Sequence, residues 1–113
     1  MKNTEQKNFE YDPSIDSLTI YHKKADMEPI VGSIVVDNFI FDVSTNGTFV
    51  GLEIDNASEV FNISPQLLSK IREAKIGTVI QKNLIMFTYQ VNIDKKEYER
   101  VLMIPKDKII LTT

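Results

Sequence analysis

The chain of 113 residues contains no cysteine and no tryptophan, and it has one histidine, His22. Without cysteine it can form neither a disulfide framework nor a thiolate nucleophile, which fits a reducing compartment. A catalytic triad would have to use His22 as its base, and the strand predicted around it offers no nucleophile at a useful spacing. We therefore expect a protein that is not an enzyme.

No stretch approaches 18 consecutive apolar residues, and the N-terminus, MKNTEQKNFEYD, lacks the apolar segment of a secretion signal. We therefore expect a cytoplasmic protein with no membrane association and a disordered N-terminus over residues 1–7. The formal net charge of −3 argues against a general nucleic-acid-binding protein, whose surface is usually basic. With only four glycines, the chain contains no glycine-rich phosphate loop.

Residues 30–55, IVGSIVVDNFIFDVSTNGTFVGLEID, contain the strongest local pattern in the chain. They predict three strands joined by tight turns at Asp37-Asn38 and Asn46-Gly47, because asparagine, aspartate and glycine tolerate the positive φ of two-residue hairpin turns. Both turn assignments place the same apolar side chains on one face. The predicted core face consists of Ile34, Val36, Phe39, Phe41, Val43, Val50, Leu52 and Ile54.

This register pairs Phe41 with Leu52 and Val43 with Val50. A shift of one residue would turn every one of these side chains to the opposite face. Burial of the core face contributes on the order of 10 kcal/mol before conformational entropy is subtracted. The face must therefore pack against another layer.

The opposite face of the same strands is mixed, and it carries Ser33, Val35, Ile40, Asp42, Gly51, Glu53 and Asp55. In the predicted register, Asp42 and Glu53 lie diagonally across from each other. Paired carboxylates can bind a divalent cation or share a proton, so these two are the candidate residues for a metal or small-molecule site. A solvated strand face is the alternative interpretation.

A helix is predicted over residues 64–75, with Ser64 as its N-cap, Pro65 at its first position and Gly77 beyond its end. Its predicted apolar stripe consists of Leu67, Leu68, Ile71 and Ala74. Strands are predicted before it over 9–11 and 17–22, and after it over 78–81, 84–91, 98–104 and 108–111, with a charged loop over 93–97.

The predicted fold is a single α+β domain over residues 8–113, consisting mainly of antiparallel β-meanders with one helix. A first meander spans 8–58, the helix lies near 64–75, and a second meander spans 76–112. The two meanders could form one sheet, two sheets or a sheet across a dimer. Several lysines near tyrosines could form a nucleic-acid surface, but neighbouring acidic residues favour solvated loops. These residues are Lys23, Lys24, Lys95, Lys96, Lys106 and Lys108, with Tyr21, Tyr89 and Tyr98.

Two segments, FEYDPSIDSLTIYH and FDVSTNGTFVGLEIDNAS, carry a family pattern. The span Phe9–Ser58 resembles the domain of unknown function 2283 family, which implies a small β-rich domain without an established activity. The matching positions are Tyr11, Asp12, Pro13, Asp16, Leu18, Ile20, Asp42, Gly47, Gly51, Glu53, Ile54, Ala57 and Ser58. Asp12 and Asp16, on either side of Pro13, are predicted to form a turn by bonding their own backbone. Ser44 and Thr45 stand where the family pattern usually has an acidic residue.

The association of this family with genes for ribonuclease-like toxins implies a neutralising role. We therefore predict a non-enzymatic interaction protein, a homo-oligomer that binds a protein partner and uses no cofactor. The alternative is a small-molecule or divalent-metal-binding module that uses Asp42 and Glu53.

Overall fold

The computed structural model of the protein describes residues 8–22, 29–45, 48–106 and 111–112. This part of the chain forms nine strands and two short helices. The strands are β1 (Phe9–Asp12), β2 (Ser17–Tyr21), β3 (Ile30–Val36), β4 (Phe39–Ser44), β5 (Phe49–Asp55), β6 (Ile71–Ile80), β7 (Leu84–Ile93), β8 (Lys96–Pro105) and β9 (Leu111–Thr112), and the helices are α1 (Ala57–Phe61) and α2 (Pro65–Leu68).

The strands form two antiparallel sheets. One has six strands in the order β1-β2-β5-β4-β3-β9, and the other has three in the order β6-β7-β8. The fold is therefore predominantly β, with few helical residues, which confirms the coarse α+β prediction. The longest helix in the described part has five residues, so no helix there is long enough to cross a membrane.

The hairpin of β3 and β4 has the predicted register. Val36 pairs with Phe39, and Ile34 pairs with Phe41, so only Asp37 and Asn38 connect the strands. Asp37 adopts a φ of 52°, a left-handed conformation that aspartate tolerates better than most residues. Strand alternation and turn chemistry were sufficient to predict this hairpin.

The register of β4 and β5 is confirmed at one end and wrong at the other. Phe41 pairs with Leu52 as predicted, but a bulge then pairs Val43 with Phe49 instead of Val50. Phe49 therefore belongs to the hydrophobic core in the place predicted for Val50. Val50 is buried as well, but it is not part of the same cluster of core side chains. The predicted turn residues Asn46 and Gly47 lie outside the described residues.

The core lies between the two sheets and is rich in aromatic rings. The Phe41 ring centroid lies 4.5 Å from that of Phe87, and Phe49 lies 5.6 Å from the same ring. Phe39 and Phe61 contact Tyr89 at centroid distances of 5.9 and 5.8 Å. Such tilted and edge-on pairs contribute beyond their buried area. The layer that covers the predicted core face is therefore the three-stranded sheet.

The predicted helix over 64–75 is wrong beyond its first turn. Ser64 caps a helix as predicted, because its Oγ accepts a hydrogen bond from the Leu67 N–H at 3.2 Å. The helix that follows ends at Leu68, and strand β6 begins at Ile71.

A bulge in β6 explains the false helical pattern. Ile71 pairs with Ile93 and Glu73 with Asn92, so Arg72 is an extra residue in the ladder. The bulge turns both Ile71 and Ala74 towards the core, which reproduces the three-residue spacing of a helix. Gly77, the predicted helix stop, lies within β6.

The predicted charged loop over 93–97 is also wrong. Ile93 pairs with Lys96, and Asp94 and Lys95 alone form the turn with φ values of 47° and 72°. Positive φ at both positions matches the twist of the flanking strands. The final strand, β9, pairs with β3 at the edge of the six-stranded sheet, while residues 1–7 and 107–110 lie outside the described part.

Candidate functional site

The outward side of the six-stranded sheet is acidic. Leu18 and Ile20 are fully buried between the sheets, so the residues that alternate with them along the strands point outward. We define the acidic face as Glu10, Asp12, Asp42, Glu53 and Asp55, together with Tyr21, Val35 and Ile40 on the same side. No strand residue paired with these five carboxylates is a lysine or an arginine.

Asp42 is held at a defined position on the acidic face. The Ser33 hydroxyl donates a hydrogen bond of 3.0 Å to its Oδ1. Gly51 lies opposite Asp42, and a Cβ at Gly51 would come within 3.0 Å of Asp42 Oδ2. A side chain at position 51 would therefore crowd the Asp42 carboxylate, which is a steric reason for glycine at this position of the strand.

Glu53 is electrostatically strained by its acidic neighbours. A hydrogen bond with Asp55, partial burial, and the negative charges of Asp55 and Asp42 raise the pKa of the Glu53 carboxyl. Asp42 makes the smallest of these contributions, so Asp55 is the closer partner of Glu53. Because folding raises this pKa, ionised Glu53 costs stability above the pKa, and the cost falls as the pH drops through it.

Replacing Asp55 with asparagine is expected to lower the pKa of Glu53 towards its usual value, because the variant removes the nearest negative charge. Titration of the Glu53 side-chain carboxyl by carbon-13 NMR measures the change. Asp94→Asn, at the turn of the other sheet, is the matched control and is expected to have no effect. An unchanged pKa in the Asp55 variant would contradict this account of the acidic face.

The spread of the carboxylates decides what the acidic face can bind. They occupy β1, β4 and β5, and three strand spacings separate β1 from β4, about 14 Å in all. Among the described residues, no group of three or more histidine, cysteine, aspartate or glutamate side chains is arranged to hold a metal ion. The spacing therefore suits several cationic groups of one extended ligand better than a single ion.

A second polar cluster joins the β1–β2 turn to the start of α1. Asp16 Oδ1 accepts hydrogen bonds from the Tyr11 hydroxyl at 2.7 Å and the Ser58 N–H at 3.0 Å. The Ser58 hydroxyl donates to Asp16 Oδ2 at 2.7 Å, and the Ala57 N–H donates to the Asp16 carbonyl at 3.0 Å. Asp16 therefore bonds a helix 42 residues away rather than the local turn predicted for it.

The hydrogen bonds to Asp16 also affect the pKa of its carboxyl. Burial alone would raise the pKa of its carboxyl, but the hydrogen bonds from Ser58 and Tyr11 outweigh that effect and lower it. Burial and the adjacent Asp16 carboxylate raise the pKa of Tyr11 to about 12, so its phenol remains a donor. Asp12 does form the predicted local turn, since its Oδ1 accepts from the Ser14 N–H at 3.0 Å.

This cluster consists of residues that carry the family pattern, and a family comparison identifies the same segment. Residues 8–58 match the model of the family described as Protein of unknown function (DUF2283). The predicted resemblance over Phe9–Ser58 is thus confirmed. Within this matched segment, hydrogen bonds from Tyr11 and Ser58 to Asp16 give these three residues a structural role.

A relative extends the similarity beyond the DUF2283 segment. The chain is 29% identical over 91 residues to "Uncharacterized protein MJ0789" of Methanocaldococcus jannaschii, which covers 80% of this chain and 76% of that protein. The 91 aligned residues outnumber the residues that precede Ile71, where β6 begins, so the alignment extends into the sequence that forms the second sheet. No solved structure matches the chain significantly.

The predicted surface of tyrosines and lysines is not assembled as one platform. Tyr89 is buried in the core, where desolvation raises the pKa of its phenol, and Tyr21 lies on the acidic face. The Lys96 ammonium lies 5.3 Å from the ring centroid of Tyr98, which is itself partly buried. His22 is exposed after β2, and Lys23, Lys24 and Lys108 lie outside the described residues.

Sequence reasoning missed an exposed apolar surface on the other sheet. Val79, Met86 and Met103 lie side by side on the outward side of β6, β7 and β8, next to Val101. Val79, Val101 and Met103 are 53%, 48% and 63% exposed. We call these four residues the distal patch. Strand alternation could group them, but it could not show which side of the sheet faces the core.

Proposed function

We propose that the protein is a non-enzymatic interaction protein that binds a basic polypeptide on the acidic face. The observation that carries this proposal is the placement of five carboxylates on one side of the six-stranded sheet without a lysine or arginine as strand partner. The raised pKa of the Glu53 carboxyl is consistent with their mutual repulsion. Repulsion of this kind costs the folded protein free energy. A lysine or arginine from a partner would relieve it, so part of the cost would return as binding free energy.

Apolar side chains on the acidic face support a polypeptide ligand. Val35 is 57% exposed and pairs with Ile40, which in turn pairs with Glu53. Tyr21, also exposed, pairs with Gly51 beside Asp42. Lysine and arginine have long apolar stems below their charges, so one residue can contact Val35 and a carboxylate together.

Titration with a lysine- and arginine-rich peptide, followed by NMR of the labelled protein, tests the proposal. An uncharged peptide of the same length is the control ligand. We expect shifts confined to the acidic face and a lower pKa of the Glu53 carboxyl in the complex than in the free protein. Asp42→Asn and Asp55→Asn are expected to weaken binding by about tenfold, whereas Asp94→Asn leaves it unchanged. Equal losses in all three variants would indicate attraction by net charge alone and would contradict a specific face.

The metal-binding alternative predicts a different result. Calorimetric titration with magnesium, manganese and calcium would then produce heat that disappears in the Asp42→Asn variant. We expect no such heat, because the carboxylates are distributed across the sheet. Heat that depends on Asp42 would replace the polypeptide proposal with a metal-binding module.

A narrower proposal is that the basic partner is a ribonuclease-like toxin. It predicts that co-expression of this chain rescues a growth arrest caused by a toxin encoded by the neighbouring gene. Rescue should persist in the Asp94→Asn variant and be lost in Asp42→Lys, which reverses a charge on the acidic face. Continued growth arrest with the wild-type chain would exclude this partner.

A further inference from the structure

The outward side of the three-stranded sheet changes character along its strands. Near the turn that joins β7 and β8, Glu73, Glu97 and Glu99 accompany Lys75 on the outward side, and Asp94 and Lys95 form the turn itself. Two of these glutamates already accept hydrogen bonds within the sheet, because Asn92 Nδ2 donates to Glu73 at 2.9 Å and Gln90 donates to Glu97. The distal patch follows in the middle of the sheet.

Two lysines lie at the opposite end. Lys82 belongs to the connection between β6 and β7, and Lys106 follows β8. The Lys106 N–H donates to the Asn83 carbonyl at 3.0 Å, which holds the two segments together. Along the strands, the outward side of this sheet is therefore acidic at one end, apolar in the middle and basic at the other end. An arrangement of this kind is complementary to itself when one copy is reversed.

We propose that two copies of this chain pack face to face through their three-stranded sheets. The two-fold axis would lie in the interface, perpendicular to the strands, between the row of Val79, Met86 and Met103 and the row that contains Val101. The row of Val79, Met86 and Met103 in each copy then covers the row of Gly77, Thr88 and Val101 in the other. This contact uses a surface separate from the acidic face, so the dimer could present two copies of that face.

Strand geometry brings opposite charges together in this arrangement. Successive outward-facing rows are about 6.6 Å apart along a strand. The axis runs across the strands, so it places β8 of one copy over β8 of the other. Lys106, just beyond the end of β8, lies about two rows from the axis in one direction, and Glu99 on the same strand lies between one and two rows away in the other. Reversal of the second copy therefore places Lys106 of each chain over Glu99 of the other.

The size of the surface predicts how tightly the copies associate. Ten-residue strands are about 33 Å long, and three strands with their side chains are about 14 Å wide. Overlap of two such faces is near the lower limit for specific interfaces. We therefore expect a reversible dimer whose population rises with protein concentration.

Sedimentation velocity over about a hundredfold range of concentration tests the dimer. Met103→Glu is expected to weaken it by at least about tenfold, because it places a charge in the distal patch. Ile15→Glu, on the β1–β2 turn of the other sheet, is the matched control and should leave it unchanged. Thermal melts of both variants show whether they remain folded. A monomer at all concentrations, or a dimer insensitive to Met103→Glu, would overturn the proposal.

A mixing experiment tests the orientation of the two copies. Lys106→Glu and Glu99→Lys are each expected to weaken their own dimer, since each substitution creates two contacts between like charges. Mixed in equal amounts, the two variants should recover a dimer, because both contacts of the heterodimer then join opposite charges. Failure to recover would overturn the face-to-face arrangement, as would amide exchange protection confined to the β8 edge.

The two proposals fail independently. Asp42→Asn should reduce binding of the basic peptide without changing the dimer, and Met103→Glu should do the reverse. A single variant that abolished both would show that the surfaces are not separate.

Discussion

Replacing Phe87 with alanine is expected to lower the free energy of unfolding by about 3–5 kcal/mol. Phe87 is fully buried in β7, and its ring contacts Phe41 and Phe49, which belong to the six-stranded sheet. The truncation removes the ring from the interface between the sheets and leaves a cavity that neighbouring side chains fill only in part. Urea denaturation followed by circular dichroism measures the loss.

A matched control separates this effect from a general loss of apolar side chains. Ile15→Ala removes a side chain that is 68% exposed, and it should change the free energy of unfolding by less than about 0.5 kcal/mol. Phe87→Leu, which keeps most of the buried volume, should lie between the two. A small effect of Phe87→Ala would contradict a core shared by the two sheets.

Asp16→Ala is expected to lower the free energy of unfolding by about 2–3 kcal/mol. The variant removes the acceptor of three hydrogen bonds, from the Tyr11 hydroxyl and from the N–H and hydroxyl of Ser58. It also places alanine at a φ of 52°, which aspartate tolerates better. Thermal and chemical denaturation measure the loss, and Asp12→Ala on the exposed turn is the comparison.

The pH dependence distinguishes the charge of Asp16 from its shape. Asp16→Asn keeps the size of the side chain and its tolerance of positive φ, so it should cost less than alanine. Because the folded protein lowers the pKa of Asp16 below its ordinary 3.8, the stabilisation is present above that value. It is lost as the pH falls through the lowered pKa. The wild-type advantage over Asp16→Asn should therefore shrink in acid, and a constant difference would contradict the role of the charge.

The features predictable from the sequence are those determined by local geometry. The Asp37-Asn38 turn and the alternation of β3 and β4 are sufficient to place Ile34 opposite Phe41. The cap at Ser64 follows from side-chain chemistry within four residues. Bulges are different, because one extra residue leaves no local sign, and the bulge at Arg72 made a strand resemble a helix.

The candidate sites also include features that local sequence determines and features that only the tertiary fold determines. Asp42 and Glu53 could be placed on one side of a sheet from the hairpin register alone. The bonds between Asp16 and Ser58 could not, because they join residues 42 positions apart through the tertiary fold. The distal patch depends on which side of the second sheet packs against the first, and strand periodicity is identical for both sides.

The pairing of β2 with β5 has a consequence for the order of folding. The paired residues are 30 to 38 positions apart, from Tyr21 with Gly51 to Ser17 with Asp55, whereas β6, β7 and β8 are joined by short turns. Closing the longer loop costs more chain entropy, and non-local pairs slow folding. We therefore expect the C-terminal hairpins to form early and the β1–β2 hairpin to join its sheet late. The contacts of Asp16 with Ser58 would then form in that final step, and weakening them is expected to speed unfolding more than it slows folding.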